Sequence, residues 1–210
     1  MARYTGPVCR LCRRDGQKLF LKGAKCFTDK CPVEKRNFPP GQHGQSKKQK
    51  KLIGYGLQLR EKQKTKRMYF TLETQFRAYY EKASNKTGVT GELLLQQLET
   101  RLDNVCYRLG FAISRRQARQ LVRHGHVQVN GRKVNIPSFQ CKVGDEIAIR
   151  QGSKELAILA SSRDFASGQN RVHWIDAQPD NLSGKIIALP KREDINLPIN
   201  EQLIVELYSK

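Results

Sequence analysis

The sequence is short of acid. Its 210 residues hold 19 Asp and Glu against 39 Lys and Arg, a formal net charge of +20 at pH 7. Self-repulsion of that size disfavours a compact free protein unless a polyanion offsets it, so nucleic acid is the first partner class to consider and an acidic membrane surface the second. Apolar residues are also scarce, at 38% against roughly 45–50% in ordinary globular domains. No run approaches the ~18 apolar residues of a membrane span. The opening Met1-Ala2-Arg3-Tyr4-Thr5-Gly6-Pro7 has no apolar stretch of the kind a secretory signal carries. The expectation is a cytoplasmic protein with reduced cysteines. The chain also lacks a Ser/His/Asp set, a paired-carboxylate site and a Gly-rich phosphate loop, and no internal repeat is visible. These absences argue against enzymatic chemistry and a small-molecule substrate.

The charge that is present is uneven. Residues 1–51 hold 14 Lys and Arg and 3 Asp and Glu; residues 52–150 hold 18 and 8; residues 151–210 hold 7 and 8. The first two thirds carry the whole excess, and the neutral last third reads as scaffold or protein contact.

Four of the six cysteines fall in the first 31 residues, as Cys9-x2-Cys12 and Cys26-x4-Cys31, with thirteen residues between the pairs. Two such pairs can complete a tetrahedron of thiolates around one ion. Between them Leu19, Phe20 and Leu21 supply little core, so the segment needs a staple. Arg10, Arg13, Arg14, Lys18, Lys22 and Lys25 surround the pairs and favour thiolates. One structural zinc on Cys9, Cys12, Cys26 and Cys31 is the expected cofactor; an iron–sulfur cluster and unrelated free thiols are the alternatives. Cys106 and Cys141 sit among apolar residues and read as small core side chains. Asn37 to Gly44 contains two prolines and two glycines, which excludes a regular element, and a lysine-rich stretch to Lys51 follows.

Helices are expected from Gly56 to Met68, after a cap at Thr71 (burying Phe76, Tyr79, Tyr80 and Ala83), after a cap at Thr90, and through Leu102 to Leu109, ending at Gly110. Ser114 and Gln117 form a capping-box pattern opening a helix that runs to about His124, with Gly125 behind it. On that helix Arg115, Arg116, Arg119 and Arg123 fall within an arc of about 100° opposite Ala118, Leu121 and Val122. Two of them occupy the first turn, where the helix dipole disfavours cations and a phosphate would satisfy both. A hairpin follows: Val127 and Val129, an Asn130-Gly131 turn, then Val134 and Ile136. Arg132 and Lys133 stand at its tip, and His124 and His126 flank Gly125 as candidate phosphate neighbours. Phe139, Cys141 and Val143 read as a further strand, Ile147 and Ile149 as the closing one, and Lys185 to Leu189 as a strand ended by Pro190. Asn200 can cap a last helix burying Leu203, Ile204 and Leu207.

Arg101-Leu102-Asp103-Asn104-Val105, Ser114 to Val122 and Gly125 to Gly131 resemble the RNA-binding motif named after small-subunit ribosomal protein four. Pseudouridine synthases and tyrosyl-tRNA synthetases borrow that motif. The opening seven residues, Pro40-Gly41-Gln42-His43-Gly44, Leu59 to Lys64 and Ile199 to Lys210 also resemble the ribosomal family itself, in its cysteine-bearing form. The resemblance implies a structural constituent of the small ribosomal subunit. It would bind the 5′ domain of the rRNA early in assembly, line the mRNA entry path and touch ribosomal protein five in a contact tied to decoding accuracy. Lys47, Lys48, Lys50 and Lys51 match the entry-path arm by position, with lysine where other members use arginine.

The expected fold is α+β: a mostly helical domain with a metal-stapled arm, and a small antiparallel sheet packed on basic helices. The expected domains are 1–45, the arm; 46–98, helical and completed by 190–210; and 99–189, RNA-binding, with the motif at about 99–150. Expected RNA contacts are Arg3, Arg10, Arg13, Arg14, the four arm lysines, Arg60, Lys62, Lys64, Arg67, Arg115, Arg116, Arg119, Arg123, His124, His126, Arg132 and Lys133. Expected protein contacts are Asn200, Glu201, Leu203 and Tyr208. A DNA-binding transcription factor would need base-reading polar side chains on the second helix and usually a dimer interface, whereas the face of this helix shows only arginine. An RNA-modifying enzyme would need more chain than the roughly 60 residues after the motif.

Overall fold

The computed structural model describes residues 4–46, 53–167 and 172–209. The chain divides into two compact units. One comprises the described residues up to Leu94 together with those from Leu197 onward; the other is Leu95–Asn196. The division falls within a helix, Thr90–Glu99 (α5). No helix among the described residues is long and apolar enough to cross a membrane.

In the first unit, α1 (Cys9–Asp15) ends at Gly16, whose φ of 68° needs a residue without a Cβ. A 3-10 turn (Gly23–Phe27) and the short α2 (Pro32–Lys35), opened by proline, follow. Val8, Leu19, Leu21 and Val33 are buried here beside Cys12, Cys26 and Cys31. α3 (Tyr55–Met68) starts one residue before the expected position, and α4 spans Glu73–Ser84. Thr71 does not cap α4: Leu72 holds that position, and the Thr71 hydroxyl donates back to the Lys66 carbonyl at 3.3 Å, closing the end of α3. Phe76, Tyr79 and Ala83 are buried at helical spacing, whereas Tyr80 is half-buried and stacks on Tyr208 at 4.6 Å.

The last helix (Glu201–Tyr208) is capped by Asn200, whose side chain accepts the Leu203 N–H; its own N–H donates to Glu61 at 2.8 Å. Only Ile204 is fully buried, with Leu203 and Leu207 half-buried. Polar contacts complete the docking. Glu73 accepts from Lys62 at 2.6 Å, Lys66 at 2.9 Å and the Tyr208 hydroxyl at 3.0 Å, and Gln58 donates to Glu206 at 2.9 Å.

The second unit packs the helices Leu102–Arg108 (α6) and Arg115–Arg123 (α7) on an antiparallel sheet. Its strands are β1 (Val127–Val129), β2 (Arg132–Lys133), β3 (Glu146–Ile149), β4 (Ile175–Gln178) and β5 (Ser183–Ile186), in the order β2-β1-β3-β5-β4. Val127 and Val129 pair with Ile149 and Ile147, and Asn130 and Gly131 take φ of 50° and 76°, the signature of the hairpin turn. Leu102, Val105, Cys106, Ala118 and Val122 meet Val127, Ile147, Ile149, Trp174 and Ile186 in one core. The segment expected as a strand at Phe139–Val143 is not one. Its backbone bonds to the link before α6 instead: Leu102 N–H donates to the Phe139 carbonyl and Cys141 N–H to that of Thr100, both at 2.9 Å. β2 ends at Lys133, with the Val134 N–H donating to the carbonyl of Val127, the first residue of β1, at 3.2 Å; Ile136 beyond it is exposed. The strand expected at Lys185–Leu189 runs Ser183–Ile186 and has a partner, β4, that alternation did not reveal. A further helix, α8 (Ala157–Ser167), was also unanticipated; the last helix is thus α9.

Burial raises the Glu73 carboxyl, but hydrogen bonds from Lys62, Lys66 and Tyr208 outweigh it and hold it down at about 2. A depressed folded-state value stabilises above the ordinary carboxyl range near 4.3 and is lost as pH falls toward about 2. Glu73→Gln is expected to cost on the order of 1 kcal/mol at pH 7. In denaturant titrations its difference from wild type should shrink between about pH 4 and pH 2; a difference constant over that range would show that Glu73 does not titrate through this contact.

Candidate nucleic-acid interface

α7 is set by its cap. Ser114 Oγ accepts the Gln117 N–H at 3.3 Å, and Gln117 Oε1 accepts the N–H of Ile113, one residue ahead of the cap, at 2.8 Å. Ala118, Leu121 and Val122 are buried, so the arginine arc turns away from the apolar core.

The arc then divides. Arg115 and Arg119 are 7% and 6% exposed and point into carboxylates brought by the preceding chain. Arg115 Nε donates to Asn104 Oδ1 at 2.6 Å, its guanidinium lies 4.8 Å over the Tyr107 ring, and Glu99 is 3.8 Å away. Arg119 donates to Asp103 at 3.3 Å. Asp103 also accepts from the fully buried Arg101 at 2.8 and 3.1 Å, and Glu99 accepts from Arg108 twice at 2.9 Å and from Asn104 at 2.7 Å. A projection of α7 alone shows none of these acids. They come from the end of α5 and the start of α6. Arg116 and Arg123 remain exposed.

The exposed cations gather where α7 ends. Arg123 and His124 are exposed, and the chain turns at Gly125 with φ 76°. The end of the Lys133 side chain lies against the Gly125 backbone, so the hairpin tip reaches the helix end. Arg150, also exposed, donates to the Gly125 carbonyl at 3.4 Å, while Arg132 is exposed at the tip. His126 is half-buried, its Nδ1 2.9 Å from Ser153 Oγ. Cations are well placed beside a helix C-terminus. Motif reading missed Arg150. The register contained the signal: Val127 faces Ile149, so the next residue lies against His126, whose carbonyl accepts the Arg150 N–H at 2.9 Å.

In the first unit, Arg10 and Arg14 are exposed. Arg13 donates to the carbonyls of Arg36 at 3.2 Å and Phe38 at 3.0 Å and lies over the Phe38 ring. Arg60 and Arg67 both bond the buried carboxylate of Asp15, at 3.1 and 3.0 Å. Lys62 pairs with Glu73, and Lys64 with Glu61 at 2.6 Å. These four cations face their own unit's acids. Of the expected protein contacts, Asn200 is exposed, Glu201 has its stem against Gly91, Leu203 is half-buried and Tyr208 is held by Glu73 and Tyr80. Arg3, Lys47, Lys48, Lys50 and Lys51 lie outside the described residues.

All six cysteines are free thiols. Cys12, Cys26 and Cys31 are buried and Cys9 half-buried. Burial pushes the Cys12 thiol up to about 11; the N–H of Leu19 opposes this, and the other three thiols of the cluster add to it. Burial likewise raises Cys26, whose sulfur accepts the Lys22 N–H at 3.3 Å. Among the described residues, no three His, Cys, Asp or Glu side chains form a group that could hold an ion. Cys106 and Cys141 lie in the core of the second unit, where burial pushes Cys141 up to about 12.

Residues 3–99 match the family model described as ribosomal protein S4/S9 N-terminal domain, and residues 100–147 match that of the S4 domain. The chain is 74% identical over 210 residues to a small ribosomal subunit protein uS4 of Acidobacterium capsulatum. It is 66% identical to that of Koribacter versatilis and 60% identical to that of Acetivibrio thermocellus. In each case all of both chains is covered. Matched from end to end at this identity, the chain belongs to the uS4 family of small ribosomal subunit proteins.

Proposed function

We propose that the chain is a structural, non-enzymatic constituent of the small ribosomal subunit in the cytoplasm, and that it binds the 5′ domain of small-subunit rRNA and nucleates assembly of the subunit body. The observation that carries this is the set Arg123, His124, Lys133 and Arg150 around the end of α7, with Arg132 exposed at the hairpin tip, none of them in an ion pair with a carboxylate among the described residues. Arg116 adds a cation in the first turn. A surface dominated by cations suits phosphate and shape recognition of structured RNA. The entry-path and ribosomal-protein-five roles rest on the family resemblance of the lysine arm and the C-terminal segment.

We also propose one structural zinc held by Cys9, Cys12, Cys26 and Cys31, whose side chains would have to close around the ion from the arrangement described above. Three buried thiols, N–H donors to two of the sulfurs and an arm with a very small apolar core suit it. A bound zinc would cross-link the two cysteine pairs.

The division of the arc makes a sharp test. Arg123→Ala should weaken binding to the rRNA and lower the salt slope by a little under one unit. Arg119→Ala should leave the slope unchanged and destabilise the second unit by roughly 3 kcal/mol, since it breaks a buried ion pair. Equal slope changes in both variants would mean that the internal pairs open on RNA. For the metal, mass spectrometry of the native protein should show one zinc per chain, lost on Cys26→Ser; native protein free of metal, or carrying iron and sulfide, would overturn that assignment.

A further inference from the structure

The metal-staple segment carries an aromatic surface that neither the cysteine reading nor the α7 cluster uses. Leu19 and Leu21 point inward, while Phe20 between them adopts φ 52°, a left-handed conformation that bulky residues avoid. The outcome is a half-buried ring resting against Phe27, with centroids 4.9 Å apart and planes inclined by 33°. Phe27 ends the Gly23–Phe27 turn and is 53% exposed. Strained backbone persists only where its surroundings hold it, and it concentrates at binding sites. Exposed Lys22, Lys25 and Lys30 lie within five residues of Phe27 in the chain, against a single acid, Asp29, over the same stretch.

A half-exposed aromatic ring with three exposed lysines near it in the chain has the composition of a nucleic-acid stacking platform. We infer that Phe27, supported by Phe20, stacks on an unpaired base of the bound RNA. Bases inside a duplex are already stacked, so the partner is a nucleotide splayed from a loop, bulge or junction. The lysines would hold its flanking phosphates. This inference rests on the rRNA-binding reading above and adds to it a contact that is apolar and independent of salt.

The test is affinity of the full-length native protein for the small-subunit rRNA transcript across a salt series. Phe27→Ala should weaken binding at least about five-fold with an unchanged salt slope, because no charge is removed. Phe27→Tyr should bind as wild type. Phe27→Leu, which keeps apolar bulk against Phe20 but has no π face, should lose as much as alanine. If leucine restores binding, or alanine binds within two-fold of wild type, the ring is packing or a protein contact and the inference is wrong. If alanine disrupts the arm, the tyrosine and leucine variants still decide between those outcomes. Arg123→Ala in the same series separates the two levels. Its loss of slope beside neutral Phe27 variants defeats only the stacking, whereas wild-type protein that fails to bind the transcript defeats the rRNA reading itself.

Discussion

The packing of α6 against α7 turns on two buried carboxylates, Glu99 and Asp103, and on the arginines that reach them. Arg101, Arg108, Arg115 and Arg119 converge on these acids within a few ångströms, with Asn104 linking Glu99 to Arg115. Ions taken out of water are costly unless their geometry and hydrogen bonds are nearly complete, and such a pair is strongly destabilising to break. A fixed network of this kind permits few rotations of one helix about the other. It therefore sets where the end of α7 falls, and with it where Arg123 and His124 stand relative to Lys133 and Arg150. The exposed cations are placed by the buried ones.

The same division of labour holds in the first unit. Asp15 takes Arg60 and Arg67; Glu73 takes Lys62 and Lys66. A net charge of +20 thus overstates how much of the positive charge faces outward as free cation. The acids are few, and those buried here are spent on positioning helices. The surplus lysines and arginines are left where a polyanion can meet them.

What the sequence made legible follows from the range of the forces involved. The capping pattern at Ser114, the Asn130-Gly131 turn and the cap at Asn200 are local chemistry, and all three form at the expected residues. The Cys106 and Cys141 side chains are core, as their apolar neighbours indicate. The fate of Arg115 and Arg119 was not legible, because it depends on acids 16 residues away that only tertiary packing delivers. Arg150 was hidden for the converse reason: it belongs to no motif, and only the β1–β3 register carries it to Gly125. The segment Phe139–Val143 alternates like a strand, yet its hydrogen bonds go to the turn before α6, which no periodicity can foretell.

Charge and aromaticity also divide by segment. The α7 surface offers cations on a rigid helix end, where affinity should follow ionic strength steeply. The cysteine segment offers an exposed ring with lysines close to it in the chain, where the stacking part of the affinity should survive salt. A protein that binds structured RNA benefits from both kinds of contact. Phosphate attraction is fast and indifferent to sequence, and it cannot tell one helical junction from another. A stacked, unpaired base exists only where the RNA has already folded to present it. Joined in one chain, the two would couple rapid capture to recognition of the correctly folded site.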